Sequence, residues 1–130
     1  MVTGILVTHG PIGDALVTAA RNIVGRVESV ETFSVTGLSL EHIHRRLQAI
    51  LDDRAGEEGV VIFASLKGGS CWNAAARAVR GRKNVYVVSG VNLPMLLSFV
   101  TKRQLLPLPD LVATLVTDGS RGIAALGASS

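Results

Sequence analysis

Apolar residues along the chain follow two alternating rhythms. Short runs of consecutive apolar positions, Ile5-Leu6-Val7, Val60-Val61-Ile62-Phe63-Ala64 and Val85-Tyr86-Val87-Val88, are separated by longer stretches in which apolar residues recur every three or four. The continuous runs fit strands of a parallel sheet whose two faces are both covered, and the spaced pattern fits the covering helices. Gly10, Pro11 and Gly13 stop the first strand, and the helix after it carries Leu16, Ala20, Ile23 and Val24 on its apolar stripe until Gly25 ends it. A second strand runs from about Val30 to Val35 and breaks at Gly37. Ser39 caps the next helix, whose Ile43, Leu47, Ile50 and Leu51 face inward while Glu41, Arg45, Arg46 and Asp52 face solvent. Gly56 is expected to close it.

The third strand, Val60 to Ala64, runs into Ser65-Leu66-Lys67-Gly68-Gly69-Ser70, and a helix from about Cys71 to Val79 follows. The fourth, Val85 to Ser89, ends at Gly90-Val91-Asn92-Leu93-Pro94-Met95, after which Leu96, Phe99 and Val100 mark another helix. Pro107 and Pro109 break the chain, Asp110 lies in the first turn of a last helix reaching Leu115, and the tail 127–130 is expected to be frayed. Four strand-then-helix units with short connections predict an α/β fold, an open, mostly parallel twisted sheet with helices on both faces. Parallel strands point their carboxyl ends the same way. The loops holding His9, Ser65 to Ser70, and Ser89 to Asn92 therefore open on one rim, where open α/β sheets place their ligands.

Composition narrows the picture. With 130 residues, 48% of them hydrophobic and only 4% aromatic, the chain is expected to be one domain with an aliphatic core. The net charge is +3, but the basic residues are scattered and lack interleaved aromatics, so no nucleic-acid partner is expected. Cys71 is the only cysteine, which rules out an internal disulfide and fits a reducing compartment. No basic, apolar leader precedes the first strand, and no apolar stretch reaches the roughly 18 residues that span a bilayer. A cytoplasmic protein without direct membrane insertion is the expectation. The positive mean hydropathy of +0.41 points to a doubly covered sheet and a subunit interface.

Taken alone, His9 reads more readily as a loop histidine bonded to its neighbours than as a nucleophile or general base. The convergence of loops shifts that balance. Gly68 and Gly69 let backbone N–H groups approach an anion closely, the helix after Ser70 offers unpaired amides and a positive dipole end, and Lys67 adds charge. The patterns Gly-x-x-x-x-Gly-Lys-Ser/Thr and Gly-x-Gly-x-x-Gly are both absent, so nothing in the loops argues for a nucleotide.

Thr8-His9-Gly10 after the first strand, Gly68-Gly69-Ser70 with Asn73 and an Ala-rich helix after the third, and Gly90-Val91-Asn92-Leu93-Pro94-Met95-Leu96 after the fourth occur in order over nearly the whole chain. In these motifs the sequence resembles the enzyme IIA component of the mannose family of the bacterial phosphoenolpyruvate-dependent sugar phosphotransferase system. The resemblance extends from the first strand to about Leu126, which makes 1–126 one IIA-like domain. It implies that His9 accepts a phosphoryl group from the histidine-containing phosphocarrier protein and passes it to a IIB component. It further implies that Ser70 contacts that group, with Thr8, Gly10, Ser65, Lys67, Gly68, Gly69 and Asn92 around it. No metal and no cofactor belong to that scheme. A homodimer is implied, and with it a sheet containing one antiparallel strand that periodicity does not locate. Where the family commonly has Asp-Thr-Trp before Gly-Gly-Ser, this chain has Ser65-Leu66-Lys67. The family's aspartate would orient the histidine through its non-reacting nitrogen; Ser65 can accept such a bond but brings no charge.

That departure keeps a second reading open, a regulatory binding module whose phosphorylation switches association with another protein and which has no transport role. The remaining chemistry-bearing residues have plain readings. His42 and His44, two apart on a helix, face different ways and read as surface residues. Cys71 reads as a small core-facing side chain rather than a reactive thiolate. Trp72 reads as packing at a rim or subunit contact. The cluster Arg77, Arg80, Arg82, Lys83 reads equally as a solvated helix end and as a surface for an acidic partner.

Overall fold

Thr3–Thr8 forms the first strand, β1, and every one of its residues is buried. In the computed structural model, which describes residues 1–54 and 58–128, it is flanked on one side by β2 (Val30–Ser34) and on the other by β3 (Val60–Ala64), with β4 (Val85–Ser89) beyond β3. All three pairings are parallel and the order is β2-β1-β3-β4. Side chains alternate along β1 with the two-residue period of a strand. Ile5 and Val7 point into a layer built by α2 (Leu40–Asp53) and α3 (Ser70–Ala78), among Ile43, Leu47, Leu51, Ala74 and Ala75. Leu6 points the other way, among Val17 and Ala20 of α1 (Ile12–Val24), Leu96 and Phe99 of α4 (Leu93–Lys102), and Leu111 and Leu115 of α5 (Leu108–Arg121). The continuous apolar runs thus reflect a sheet covered on both sides.

Small residues and one buried cation tighten the second layer. A Cβ on Gly4 would lie 2.9 Å from Phe99 Cε2 and 3.2 Å from Phe63 Cε2, so only glycine lets these two rings lie directly on β1. The rings meet edge to face, centroids 5.1 Å apart. Arg103, which follows α4 and is 6% exposed, donates to the carbonyls of Val2 (3.3 Å), Ser29 (3.4 Å) and Glu28 (2.5 Å) and lies over the Phe99 ring. It ties α4 to the segments that lead into β1 and β2. In the C-terminal half of the same helix, Lys102 and Ser98 both donate to Asp118 Oδ2 at 2.6 Å, joining α4 to α5. These bonds, that of Lys102 first, hold the Asp118 carboxyl below the usual carboxylate range.

Several expectations need correction. The buried stripe of α1 is Gly13, Val17 and Ala20, whereas Ile23 is 61% exposed: it lies in the helix's last turn, to the side of the face that meets the sheet. The last helix extends past Leu115 to Arg121, because Gly119 packs against Met95 and continues its buried face. The third helix begins one residue earlier than expected, at Ser70 rather than Cys71. Gly69 occupies the cap position and Ser70 opens the helix. Among the described residues no antiparallel strand forms, and residues 123–127 adopt neither helix nor strand. Gly56, expected to close α2, and residues 129–130 of the tail lie outside the described residues. Among the described residues no helix is long and apolar enough to cross a membrane.

Candidate functional site

Strand order decides what His9 meets. From β1 the chain moves outward to β2 and then crosses back to β3 on the other side, and α1 and α3 leave the neighbouring strands β1 and β3 on opposite faces. The loops after β1 and β3 therefore diverge around a crevice, the switch point at which doubly wound sheets bind ligands.

The β1 side of this crevice is built by local bonds. Thr8, 1% exposed, accepts the Gly13 N–H on its Oγ1 at 3.0 Å, which turns the chain sharply into α1. Gly10 has φ +54°, a left-handed conformation that a β-carbon would strain. Its N–H donates to Thr36 Oγ1 at 2.7 Å, so the loop after β2 braces the loop after β1. His9 is left exposed between these two fixed points.

The β3 side supplies the ring's partner. Cys71, in the first turn of α3 and 1% exposed, brings Sγ to 3.8 Å from His9 Nδ1. Ser65, at the end of β3, hydrogen-bonds the same sulfur. Burial pushes the Cys71 thiol up, and the Ser65 bond and the residue's own backbone N–H offset only part of that, so the sulfur is a neutral thiol at neutral pH. Gly68 adopts φ +84°, and the Gly69 N–H donates to Leu66 O at 3.3 Å; together they fold the loop back so that α3 begins beside His9. The helix's positive end and unpaired first-turn amides thus lie at the imidazole, an arrangement able to receive an anion.

The structure gathers the expected residues unevenly. His9, Ser65, Thr8, Gly10, Gly68 and Gly69 lie at the crevice or shape its walls, and Ser70 opens α3 with its side chain exposed. The bond to the ring comes from Cys71, with Ser65 one step behind it. Asn92 is committed elsewhere: its Oδ1 accepts the Met95 N–H at 3.0 Å, capping α4, and its Nδ2 donates to Gly119 O at 2.9 Å. Lys67 and Asn92 share a cavity of about 450 Å³ along β4 with Trp72, Val87, Met95 and Ile123. Sequence reasoning missed Cys71 and Thr36 as site residues. The sequence did hold a signal for Cys71, directly after Gly68-Gly69-Ser70; Thr36 follows a strand end on the same rim.

The sequence model of the family described as "PTS system fructose IIA component" matches residues 3–116. The chain belongs to this phosphotransferase system (PTS) family. It is 33% identical over 123 residues, 93% of its length, to the PTS system mannose-specific EIIAB component of Escherichia coli (strain K12). It covers only 38% of that longer relative. It is 31% identical over 111 residues to the PTS system sorbose-specific EIIA component of Klebsiella pneumoniae, covering 85% of this chain and 82% of the relative. Among solved structures, the mannose/sorbose specific IIA subunit of the phosphotransferase system from Enterococcus faecalis superposes with a TM-score of 0.87 at 26% identity, over 96% of this chain and 94% of that one. The IIA family thus shares the whole layered fold described above, and the α/β sheet predicted from periodicity is that of its solved members.

Proposed function

We propose that this chain is a phosphoryl-carrying IIA component, accepting phosphate on His9 from the histidine-containing phosphocarrier protein and passing it to a IIB component for sugar uptake. The observation that carries the reading is an exposed imidazole, at the switch point of a IIA-family sheet, whose Nδ1 is engaged by the first turn of α3. With Nδ1 so engaged, Nε2 is the nitrogen left for phosphorus. As the Nε2–P bond forms, the P–N bond of the phosphocarrier's phosphohistidine breaks and its ring leaves with the electron pair. Nδ1 keeps its proton throughout. The protein's contribution is alignment and electrostatic stabilisation of the equatorial oxygens by the first-turn amides of α3 and by the helix dipole. No metal or cofactor takes part in this scheme, and it places the chain in the cytoplasm, where the phosphocarrier operates.

Incubation with phosphoenolpyruvate, enzyme I and the phosphocarrier protein is expected to add one acid-labile, base-stable phosphate per chain. Less than a tenth of that stoichiometry would overturn the proposal. Subsequent transfer to a IIB component distinguishes a transport carrier from the regulatory module that the absent aspartate at Ser65 brings into play: the carrier empties when IIB is added, and the module stays labelled.

We further propose a homodimer. Ile123 and Leu126 are 78% and 87% exposed, and among the described residues no strand pairs with the outer edge of β4. Unpaired edges and apolar tails of this kind are normally covered in soluble proteins. Sedimentation at micromolar concentration is expected to give about twice the 13.6 kDa chain mass, and a single-chain mass would refute the dimer.

A further inference from the structure

We propose that Cys71 is the positioning residue for His9, its Sγ, 3.8 Å from Nδ1, accepting the Nδ1–H and thereby holding Nε2 unprotonated toward solvent. This inference rests on the carrier reading for its purpose, though not for its test. A ring orienter must be better fixed than the ring, and Cys71 is: it is 1% exposed and packed in the layer with Ile43, Ala74 and Ala75, whereas His9 is exposed. The sulfur faces the ring nitrogen that a carboxylate orienter would bond, and it carries no charge.

A neutral thiol can either donate or accept, and the choice sets the tautomer of the histidine. Were S–H to donate to Nδ1, the ring proton would sit on Nε2 and block the nitrogen that must attack phosphorus. Ser65 bears on that choice. Its side chain lies beside the sulfur and offsets part of the rise in the thiol's pKa, and a hydroxyl so placed, which can accept as well as donate, offers the thiol proton a place other than the ring, leaving a sulfur lone pair facing Nδ1. The relay runs Nδ1–H to Sγ, then S–H to Ser65 Oγ. Ser65 acts on His9 through Cys71, and the pair performs the orientation that a single carboxylate would otherwise perform. Being buried, Cys71 is poorly placed for redox chemistry, which leaves positioning as its use.

The test reads the tautomer directly, by two-bond ¹H–¹⁵N correlation of the His9 ring at alkaline pH, without any phosphoryl donor. The wild-type ring is expected to be mainly Nδ1–H. Cys71→Ala and Ser65→Ala should each reduce that preference about 3- to 10-fold, the share of one modest hydrogen bond. Cys71→Ser, which keeps a short donor and acceptor, should retain it. Initial phosphorylation rates should fall in proportion in Cys71→Ala and recover in Cys71→Ser, an effect that loss of packing alone would not reproduce. A tautomer ratio unchanged in both alanine variants overturns the proposal, and Ser65→Ala keeps the test available should Cys71→Ala fold poorly. A wild-type chain that shows the Nδ1–H preference yet accepts no phosphate overturns the carrier function and leaves the positioning role of Cys71 standing.

Discussion

His9→Ala is expected to lose phosphoryl acceptance entirely, with initial labelling by the phosphocarrier system falling at least about 10³-fold, because the side chain that forms the covalent bond is gone and no neighbour can replace it. Cys71 is buried and neutral, and Ser70, although exposed at the start of α3, makes no side-chain hydrogen bond to a base among the described residues that would raise the nucleophilicity of its hydroxyl. Stability should hardly change. His9 is exposed, its backbone is held by the turn at Gly10 rather than by the ring, and surface substitutions of this kind fall within about 0.5 kcal/mol. A variant with wild-type melting and no label isolates the chemistry from the fold. Labelling retained in His9→Ala would move the phosphoryl site elsewhere.

The largest effect on stability is expected from Phe99→Ala. Phe99 is completely buried, stacks edge to face on Phe63, carries the Arg103 guanidinium 5.2 Å from its centroid and presses on Gly4 of the central strand. Truncation leaves a cavity between β1 and α4 and removes the surface on which Arg103 rests. Loss of a buried aromatic costs about 3–5 kcal/mol, including about 0.5–1.5 kcal/mol for the ring pair. Arg103 retains its three carbonyl acceptors, which keeps the cost from rising further. For a chain of this size the loss corresponds to a fall in Tm of roughly 10–20 °C, and urea denaturation followed by circular dichroism should show a matching drop in midpoint. A loss under about 1 kcal/mol would mean that the layer of α4 and α5 closes over the gap.

The elements were legible because each depends on local pattern. Val60 to Ala64 is apolar at every position, short and rich in β-branched residues, the pattern of a strand covered on both faces. Ile43, Leu47 and Leu51 recur at helical spacing after a serine whose Oγ accepts the His42 N–H at 3.1 Å, as expected of a cap. The misreadings arose where apolar character and burial part company. Ile23 is as hydrophobic as Ile43, but it lies beside the contact face of α1 and stays in water, since no rule requires every apolar side chain to be covered. Asn92 looked like a ligand-binding residue because it follows a glycine in a loop on the same rim as His9. Its side chain turned out to be consumed by the cap of α4 and by the Gly119 carbonyl, contacts that no spacing reveals.

By itself the sequence determined that this chain forms strand-then-helix units in a parallel sheet, that His9 stands at the end of the first strand, and that its motifs are those of IIA components. These follow from periodicity, from turn chemistry at Gly10 and Gly68, and from residue order, all of which are written along the chain. The tertiary structure decided the order β2-β1-β3-β4, which fixes a crevice between the loops after β1 and β3 and sends α1 and α3 to opposite faces. It also decided that the sulfur of Cys71, 62 residues away in sequence, is the group that reaches the His9 ring. Pairing between distant strands is set by how whole apolar faces pack together, a global balance of burial that no local window contains. The partner of His9 is a consequence of that balance.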